Sequence, residues 1–411
     1  MDSVKIEKIA SESYHEYGTV SYAEIKQGRL VAENEGVVET VLVTGESVEI
    51  KKELGGEVCL AYAASEEIAE AMAESSPEVN PTVVDPTQTV VSNFVARTST
   101  AAYMSLAEAI AAAPAGDTVV VLKDNTIGDI EINKALTLDG RGYKLSGTHT
   151  NQGNGAKGSA QTGFDGFTIK SGENPETVVL ENFNVESVGN IAVINVPETT
   201  GNDSLKLVLR NVSMRKYFAF GVRVTCGEIE IDGCKIDNSL SPRSTTNCVQ
   251  LSPKDGHSVV AKIKNSSILG ALQEDQWTST GVCVCGHVEL AIENSRIYDC
   301  FYGLSIWDSG TTIGAKVISL KDTYVEASYP VCADYTWYNK AHDLALTVGS
   351  GNHFVSSEEE SDAIYVCTTV ESEVSISIDK NNCKFDTDYV GSLWEFDSSK
   401  PAEEQWIYTE L

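Results

Sequence analysis

The sequence is poor in basic residues and contains no long apolar run. Its 411 residues include 30 Lys and Arg against 60 Asp and Glu, which gives a formal net charge of −30 at pH 7. A chain of this charge repels phosphate backbones and anionic lipid, so nucleic acid is not expected as a partner. No apolar run approaches the ~20 residues that a membrane span requires, and the sequence therefore predicts no membrane insertion.

The sequence also lacks the pattern of a secretion signal and of metal-binding cysteine pairs. Residues 1–5 and those that follow are polar, without the basic and then apolar segments of a signal peptide. Ten cysteines are spread from Cys59 to Cys383, and the closest two, Cys283 and Cys285, do not have zinc-type spacing. We expect synthesis in the cytoplasm, mostly reduced thiols, no metal site and no cofactor.

The first part of the chain predicts a small β-rich domain. Short alternating apolar runs, such as residues 18–25, 37–43 and 57–62, are separated by glycine and charge. A helix beginning with Ser and two Glu closes this domain, which we assign to residues 1–74. Residues 75–98 are interpreted as an extended linker because three prolines lie among polar and β-branched residues: Pro77, Pro81 and Pro86.

A repeated apolar pattern occupies most of the remaining chain. Seven segments share it: residues 178–185, 207–214, 229–236, 261–268, 290–297, 318–325 and 376–383. Apolar residues at alternate positions direct one face of a strand inward. In the first six segments an Asn, Gly or Asp lies at the centre, and these residue types tolerate the left-handed conformation of a sharp bend. The seventh segment has Lys380 there, and residues 344–348 supply a further strand before it.

A second short strand recurs in fixed phase with the first. Its copies are residues 191–195, 221–225, 248–252, 281–285, 303–307 and 363–367. Two strands in fixed phase define the coil of a solenoid. A leucine-rich repeat requires a Leu-x-x-Leu-x-Leu pattern that is missing here, and a β-sandwich predicts no such recurrence.

The repeat resembles the pectate-lyase-like superfamily of right-handed parallel β-helices over about residues 103–390. The resemblance rests on the Asn-bearing turn and on a short helix at residues 105–113, followed by a buried strand at residues 118–122. The predicted fold class is all-β: a right-handed parallel β-helix over residues 99–393 with a short N-terminal capping helix, behind a small β-rich domain. Residues 394–411 are assigned to a C-terminal cap or tail.

The motifs that the resemblance implies for catalysis are missing. Polygalacturonase relatives carry Asn-Thr-Asp, Asp-Asp and Gly-His-Asp, and none of these strings occurs. The nearest approaches, at His257 and His287, lack the acid and are typical of solvated turns.

Alignment of the second strands predicts two outward columns of side chains. One column is Arg223, Gln250, Cys283, Ser305, Cys332 and Tyr365, and the next is Thr225, Ser252, Cys285, Trp307, Asp334 and Cys367. Members of a column stack about 4.8 Å apart. Cys283 and Cys332 are then two coils apart, too far for a disulfide, so free thiols are predicted.

Aromatic and acidic residues on neighbouring coils predict a sugar-binding patch, because flat rings stack on sugars while carboxylates accept their hydroxyl hydrogens. Its members are Trp307, Asp308, Asp334, Tyr335, Trp337 and Tyr338. The alternative is that these aromatics cover the coil or contact another subunit. A pair drawn from Asp299, Asp308 and Asp334 has the residue types of a glycosidase acid and base, which lie ~5 to 9.5 Å apart. The bend residues Asn182, Asn211, Asn265 and Asn294 are interpreted as a structural amide ladder.

The layout of a small β domain, a linker and a long acidic β-helix resembles bacteriophage appendage proteins, such as capsid-decorating head fibres and tailspikes. This implies that residues 1–74 bind a capsid or tail protein and that the protein lies on the virion surface after synthesis in the host cytoplasm. A homo-oligomer is expected because a solenoid end exposes unpaired strand edges, near Trp394, Trp406 and Tyr408.

Three function classes follow. The first is a non-enzymatic structural or adhesive virion protein that binds host-surface polysaccharide, favoured by the missing catalytic motifs. The second is a tailspike-type polysaccharide depolymerase, a hydrolase or lyase. The third is an extracellular cell-surface or sheath protein.

Overall fold

The computed structural model describes residues 3–6, 14–16, 18–87, 90–147, 166–170, 176–186, 192–198, 202–215, 219–239, 245–254, 256–271, 278–308, 314–334, 343–358 and 361–411. The chain forms two compact units. The first is Met1–Asn125 with Leu138–Tyr143, and the second is Thr126–Thr137 with Lys144–Leu411. Within the described ranges, no helix has the length and apolar character needed to cross a membrane.

The first unit is built mainly from short strands. They are β1 (Ser3–Ile6), β2 (Tyr14–Glu16), β3 (Thr19–Val20), β4 (Tyr22–Ile25), β5 (Gly28–Glu33), β6 (Val37–Val43), β7 (Val48–Glu53), β8 (Glu57–Ala63), β9 (Thr82–Val83), β10 (Ala96–Arg97), β11 (Ala102–Tyr103) and β12 (Thr118–Val121). Two α-helices accompany them, α1 (Glu66–Ser75) and α2 (Leu106–Ala112). Each begins after a serine whose hydroxyl accepts a backbone hydrogen bond, Ser65 and Ser105.

Strands β1–β9 of the first unit are divided between two parallel sheets. One sheet has the order β1-β4-β6-β8-β9, and the other has the order β2-β5-β7. Leu30 and Ile50 from one sheet and Val41 from the other are fully buried between them, and α1 adds Met72. The first unit is thus β-rich, and strands β1–β9 pair in parallel, whereas β10 pairs antiparallel with β11 and β12.

Residues 75–98, which the sequence predicts to be a linker, contain β9, a 3₁₀ turn at Val91–Asn93 and β10. Val91 and Ala96 are buried, and Val91 belongs to an apolar cluster that includes Leu42, Tyr62 and Leu122. The boundary between the two compact units falls near residue 125.

The second unit contains the remaining strands. The first half of them are β13 (Asn125–Ile127), β14 (Asp129–Ile132), β15 (Leu136–Asp139), β16 (Lys144–Gly147), β17 (Gly166–Ile169), β18 (Thr177–Glu181), β19 (Asn184–Glu186), β20 (Ala192–Val196), β21 (Lys206–Arg210), β22 (Ser213–Arg215), β23 (Phe220–Val224), β24 (Gly227–Asp232), β25 (Lys235–Asp237) and β26 (Thr245–Leu251). The others are β27 (Val259–Lys264), β28 (Ser267–Leu269), β29 (Thr278–Val284), β30 (Val288–Glu293), β31 (Arg296–Ile306), β32 (Lys316–Lys321), β33 (Tyr324–Asp334), β34 (Leu344–Val348), β35 (His353–Ser356), β36 (Asp362–Thr369), β37 (Val374–Ile378), β38 (Lys384–Asp386), β39 (Tyr389–Phe396) and β40 (Trp406–Glu410).

Each coil of this unit contributes strands to three parallel ladders. The first ladder has the order β18-β21-β24-β27-β30-β32-β34-β37. The second runs through β19, β22, β25 and β28, and the third through β20, β23, β26 and β29. In β31 and β33 the second and third ladders share one long strand. The predicted all-β parallel solenoid is therefore confirmed.

Inward-facing aliphatic columns form the core of the solenoid. Leu180, Leu209, Ile231, Ile263 and Ile292 follow one another in register, and none of them is exposed to solvent. Because similar side chains stack from coil to coil, each of these residues contacts an apolar residue of the same kind in the coil above and in the coil below. The core therefore extends along the axis of the solenoid.

The predicted bend residues form a ladder at one corner of the coils. They have left-handed backbone conformations, with φ from 45° to 64°, at Asn182, Asn211, Gly233, Asn265, Asn294 and Asp322. Asn211 donates to Asn182 over 3.2 Å, and Asn294 donates to Asn265 over 2.8 Å. Where Gly233 interrupts the amides, Asn265 donates instead to Asp232 over 2.8 Å.

Replacing Asn265 by Ala is expected to lower the free energy of unfolding by about 1–2 kcal/mol, because Ala lacks the amide bonds and is strained at φ 53°. Asn265→Gly is the matched control, since Gly accepts this φ without strain and also lacks the amide. Chemical denaturation monitored by circular dichroism measures both variants. An Ala variant as stable as the Gly variant would show that the left-handed conformation carries no strain.

Charged residues just before the corners alternate in sign. Six of them are in register on consecutive coils: Glu181, Arg210, Asp232, Lys264, Glu293 and Lys321. Arg210 lies 3.6 Å from Glu181, and Lys264 lies 3.3 Å from Asp232. Single surface pairs contribute little, but the alternation keeps like charges from stacking at every level.

The last strand of the chain departs from the parallel pairing of the three ladders. β40 pairs antiparallel with β39, which places Trp394 against Tyr408 and Phe396 against Trp406. The two ring pairs have centroids 5.0 Å apart. Trp406 and Tyr408 remain about half exposed, at 44% and 51%.

Candidate functional site

The first of the two predicted outward columns is present in the third ladder, and two members of the second, Asp334 and Cys367, are in register. Arg223, Gln250, Cys283, Ser305 and Cys332 are in register in that order, followed by Tyr365. Gln250, Cys283, Ser305 and Cys332 are nevertheless buried. The reason is visible at Cys283, whose sulfur accepts a hydrogen bond of 3.0 Å from Trp307 Nε1, so the indole covers the column.

All ten cysteines lie among the described residues and have free thiols, as predicted for Cys283 and Cys332. Burial raises the pKa of the Cys285 thiol well above its usual value, with smaller contributions from Cys283 and Asp308. Burial likewise raises the pKa of Cys332. These thiols stay protonated at neutral pH, which makes them poor nucleophiles.

Asp308 does not face solvent. Its carboxylate has no exposed surface and lies 2.6 Å from Lys316 Nζ, while the backbone N–H of Gly286 donates to its other oxygen over 2.8 Å. Asp308 follows the end of β31, where the strand alternation that suggested an outward position no longer applies. A carboxylate enclosed in this way has no oxygen available to a sugar.

Asp334 ends β33 and lies half-buried beside two tyrosines. It is in register with Cys367, and the preceding coil carries Trp307 at the end of its strand. Burial raises the pKa of Tyr302 and of Tyr365, and the negative charge of Asp334 adds to both shifts. On the next coil, Tyr365 lies two residues before Cys367, the register partner of Asp334.

An aromatic cluster extends this surface. The ring centroids of Tyr302 and Tyr329 are 5.6 Å apart with the rings stacked, and Phe301 lies 4.7 Å from Tyr302 and 5.3 Å from Tyr329. All three side chains are partly exposed. Partly exposed ring faces next to a carboxylate are the usual elements of a sugar-binding surface.

Asp299 lies at a different place, on a bulge of β31 between Ile297 and Cys300. It is exposed and has a left-handed backbone conformation with φ 54°. Partial burial raises the pKa of its carboxyl group, and the nearby charge of Glu326 on the next coil raises it further. Of the three predicted acids, the structure thus places Asp308 inside, Asp334 beside Tyr365, and Asp299 beside Glu326.

The other predicted patch members, Tyr335, Trp337 and Tyr338, lie outside the described residues. Across the part of the chain that the structure describes, no three His, Cys, Asp or Glu side chains are grouped so as to hold a metal ion.

The sequence reading missed a second outward surface, on the second ladder. Arg296, Tyr324, His353 and Lys384 are in register on consecutive coils. The Arg296 guanidinium lies 5.1 Å from the Tyr324 ring centroid, and His353 meets that ring edge-on at 5.1 Å. His353 Nε2 also lies 2.8 Å from Asp386. The sequence did contain a signal for this surface: each of these four residues directly precedes an inward-facing apolar residue of the second ladder.

Comparison with family models, with curated proteins and with solved structures yields no match. The fold and the geometry of its surfaces are therefore the basis for the functional argument.

Proposed function

We propose that the protein is a non-enzymatic structural or adhesive appendage of a virion, a head fibre or spike whose solenoid is of the pectate-lyase-like type. In this proposal the β-rich residues 1–74 attach to a capsid or tail protein, copies of the chain associate, and the solenoid is displayed to the host surface. The long in-register ladders support a rigid display element, because every coil is hydrogen-bonded to both neighbours.

The observation that supports the adhesive part is the partly exposed ring cluster of Phe301, Tyr302 and Tyr329, to which the same ladder adds Asp334 and Tyr365. Its rings offer apolar faces, and its carboxylate accepts hydrogen bonds from sugar hydroxyls. The enclosure of Asp308 by Lys316 and Gly286 supports binding without cleavage at this surface, since it removes one of the two acids a glycosidase there requires.

Binding to a panel of bacterial capsular and cell-wall polysaccharides tests the proposal. We expect at least one polysaccharide to bind, and we expect Tyr365→Ala and Asp334→Asn to weaken it by tenfold or more, because each removes a direct contact. Tyr389→Ala is the matched control, an exposed tyrosine on β39 that should leave binding unchanged. Retained binding in both patch variants would place adhesion elsewhere, and no binding to any panel member would leave only the structural role.

The second candidate function is a tailspike-type polysaccharide depolymerase, which the pairing of Asp299 with Glu326 favours. A carboxyl group with a raised pKa next to a second carboxylate is the arrangement of a general acid and its partner. New reducing ends or unsaturated sugar products in the same panel, lost in both Asp299→Asn and Glu326→Gln, would replace the non-enzymatic proposal with this one.

A further inference from the structure

Lys316 stands at a position where the solenoid otherwise has aliphatic side chains. It begins β32 and faces inward, in register with Val288 on the coil before and Leu344 on the coil after. Val259 occupies the same column one coil earlier. The Lys316 side chain has no exposed surface, so its amine is held inside the core.

The amine has two oxygen neighbours. Nζ lies 2.6 Å from Asp308 Oδ2 and donates to the carbonyl oxygen of Gly314 over 2.5 Å. Asp308 Oδ1 accepts the backbone N–H of Gly286. The amine therefore lies directly beside the carboxyl group of Asp308, and the other oxygen of that group is held by a backbone donor.

This pair is poorly explained as a stabilising device. The free-energy cost of removing two charges from water offsets the gain from their mutual attraction. Apolar residues of similar volume at the same positions often give equal or greater stability. On the two neighbouring coils, the residues in register with Lys316 are the buried Val288 and Leu344. Burial also lowers the pKa of the Lys316 amine, which favours the neutral, nucleophilic form.

We propose that Lys316 and Asp308 condense into an intramolecular amide bond. The ammonium group first passes a proton to Asp308 Oδ2, and the neutral amine then attacks the carboxyl carbon. The bond between Nζ and the carboxyl carbon forms, the bond from that carbon to Oδ2 breaks, and Oδ2 leaves as water with two of the three original Nζ protons. The Gly286 N–H stabilises the negative charge that develops on Oδ1 during attack.

The crosslink needs no oxidant, cofactor or second protein, and it is independent of any ligand on the outer surface. It would join the end of β31 to the start of β32 covalently, within one coil. A linkage of this kind resists both proteolysis and pulling, because separation of the two strand ends then requires breaking a covalent bond.

Mass spectrometry of the full, reduced and denatured chain tests the proposal. We expect a mass lower than that of the sequence by one water molecule. Trypsin should fail to cut after Lys316, because its amine is acylated, and should release residues 297–321 as one peptide that has lost water. A full-length mass equal to that of the sequence, with normal cleavage after Lys316, overturns the proposal.

A cyclic imide between Asp308 and Ser309 also loses one water, and Lys316→Arg separates the two products. Arginine cannot form the amide, so this variant should recover the full mass, whereas an imide would persist and would overturn the crosslink. Should Lys316→Arg fail to fold, the variant Asp308→Leu with Lys316→Met supplies an apolar replacement that should show its full calculated mass.

Discussion

Replacing Asp308 by Ala is expected to lower the free energy of unfolding by about 3–5 kcal/mol. The substitution leaves the Lys316 amine fully buried with only the Gly314 carbonyl as a partner, and it leaves the Gly286 N–H without its acceptor. Neither group can return to water without opening the coil. Chemical denaturation followed by circular dichroism and by tryptophan fluorescence measures the loss.

The double variant Asp308→Leu with Lys316→Met is the control for that experiment. Both polar groups are then replaced by apolar groups of similar size, so we expect stability within about 1–2 kcal/mol of the parent or above it. If Asp308→Ala alone costs less than 1 kcal/mol, the pair is not enclosed as the structure shows.

Replacing Glu39 by Ala is expected to destabilise the first unit by about 3 kcal/mol. The Glu39 carboxylate is buried and is bound by Arg97, with Nη2 at 2.5 Å and Nε at 2.6 Å, while Arg141 lies 3.2 Å from its other oxygen. Its loss leaves Arg97, whose side chain is only 12% exposed, without its ion-pair partner. The Arg97 guanidinium also donates to Cys59, a weak acceptor that does not replace a carboxylate.

Arg141→Ala is the matched control for Glu39→Ala. The Arg141 side chain is 37% exposed and pairs also with Asp139, so its removal should cost about 1 kcal/mol or less. Thermal unfolding and limited proteolysis of the first unit compare the two variants. Similar losses in both would mean that Arg97 does not depend on Glu39.

Much of the solenoid could be predicted because its signals are local and repeat. Alternation of apolar residues sets which side of a strand faces inward, and Asn at positions such as Asn211 and Asn294 marks the corner where the left-handed conformation is needed. The register of the outward columns, such as Cys283 with Ser305, follows from the same spacing. The periodicity of the sequence was therefore sufficient to predict the solenoid fold and the order in which its side chains stack.

The site was harder to predict, because it depends on what lies next to each column. Cys283 faces outward yet is buried, since Trp307 from the next coil folds over it. The ion pair of Asp308 joins residues that the alternation does not link, and Lys316 occupies a position that is aliphatic in neighbouring coils. The spacing of residue types along the sequence does not indicate such pairings.

The parallel pairing of the first unit was missed for a related reason. Alternating runs such as β6 and β8 look the same whether their partners are parallel or antiparallel. The distinguishing features are left-handed turn residues, Asn34 and Leu54, that return the chain between the two sheets. Asn34 and Gly55, which directly follows Leu54, are of the types that mark such turns, but they do not report the direction of the partner strand.

The alternating charges before the corners restrict how this solenoid can change in length. Duplication or deletion of a single coil between Glu181 and Lys321 would bring two like charges into register about 4.8 Å apart, whereas a change by two coils preserves the alternation. Variants of this stretch that are lengthened or shortened by two coils should therefore be tolerated better than variants changed by one.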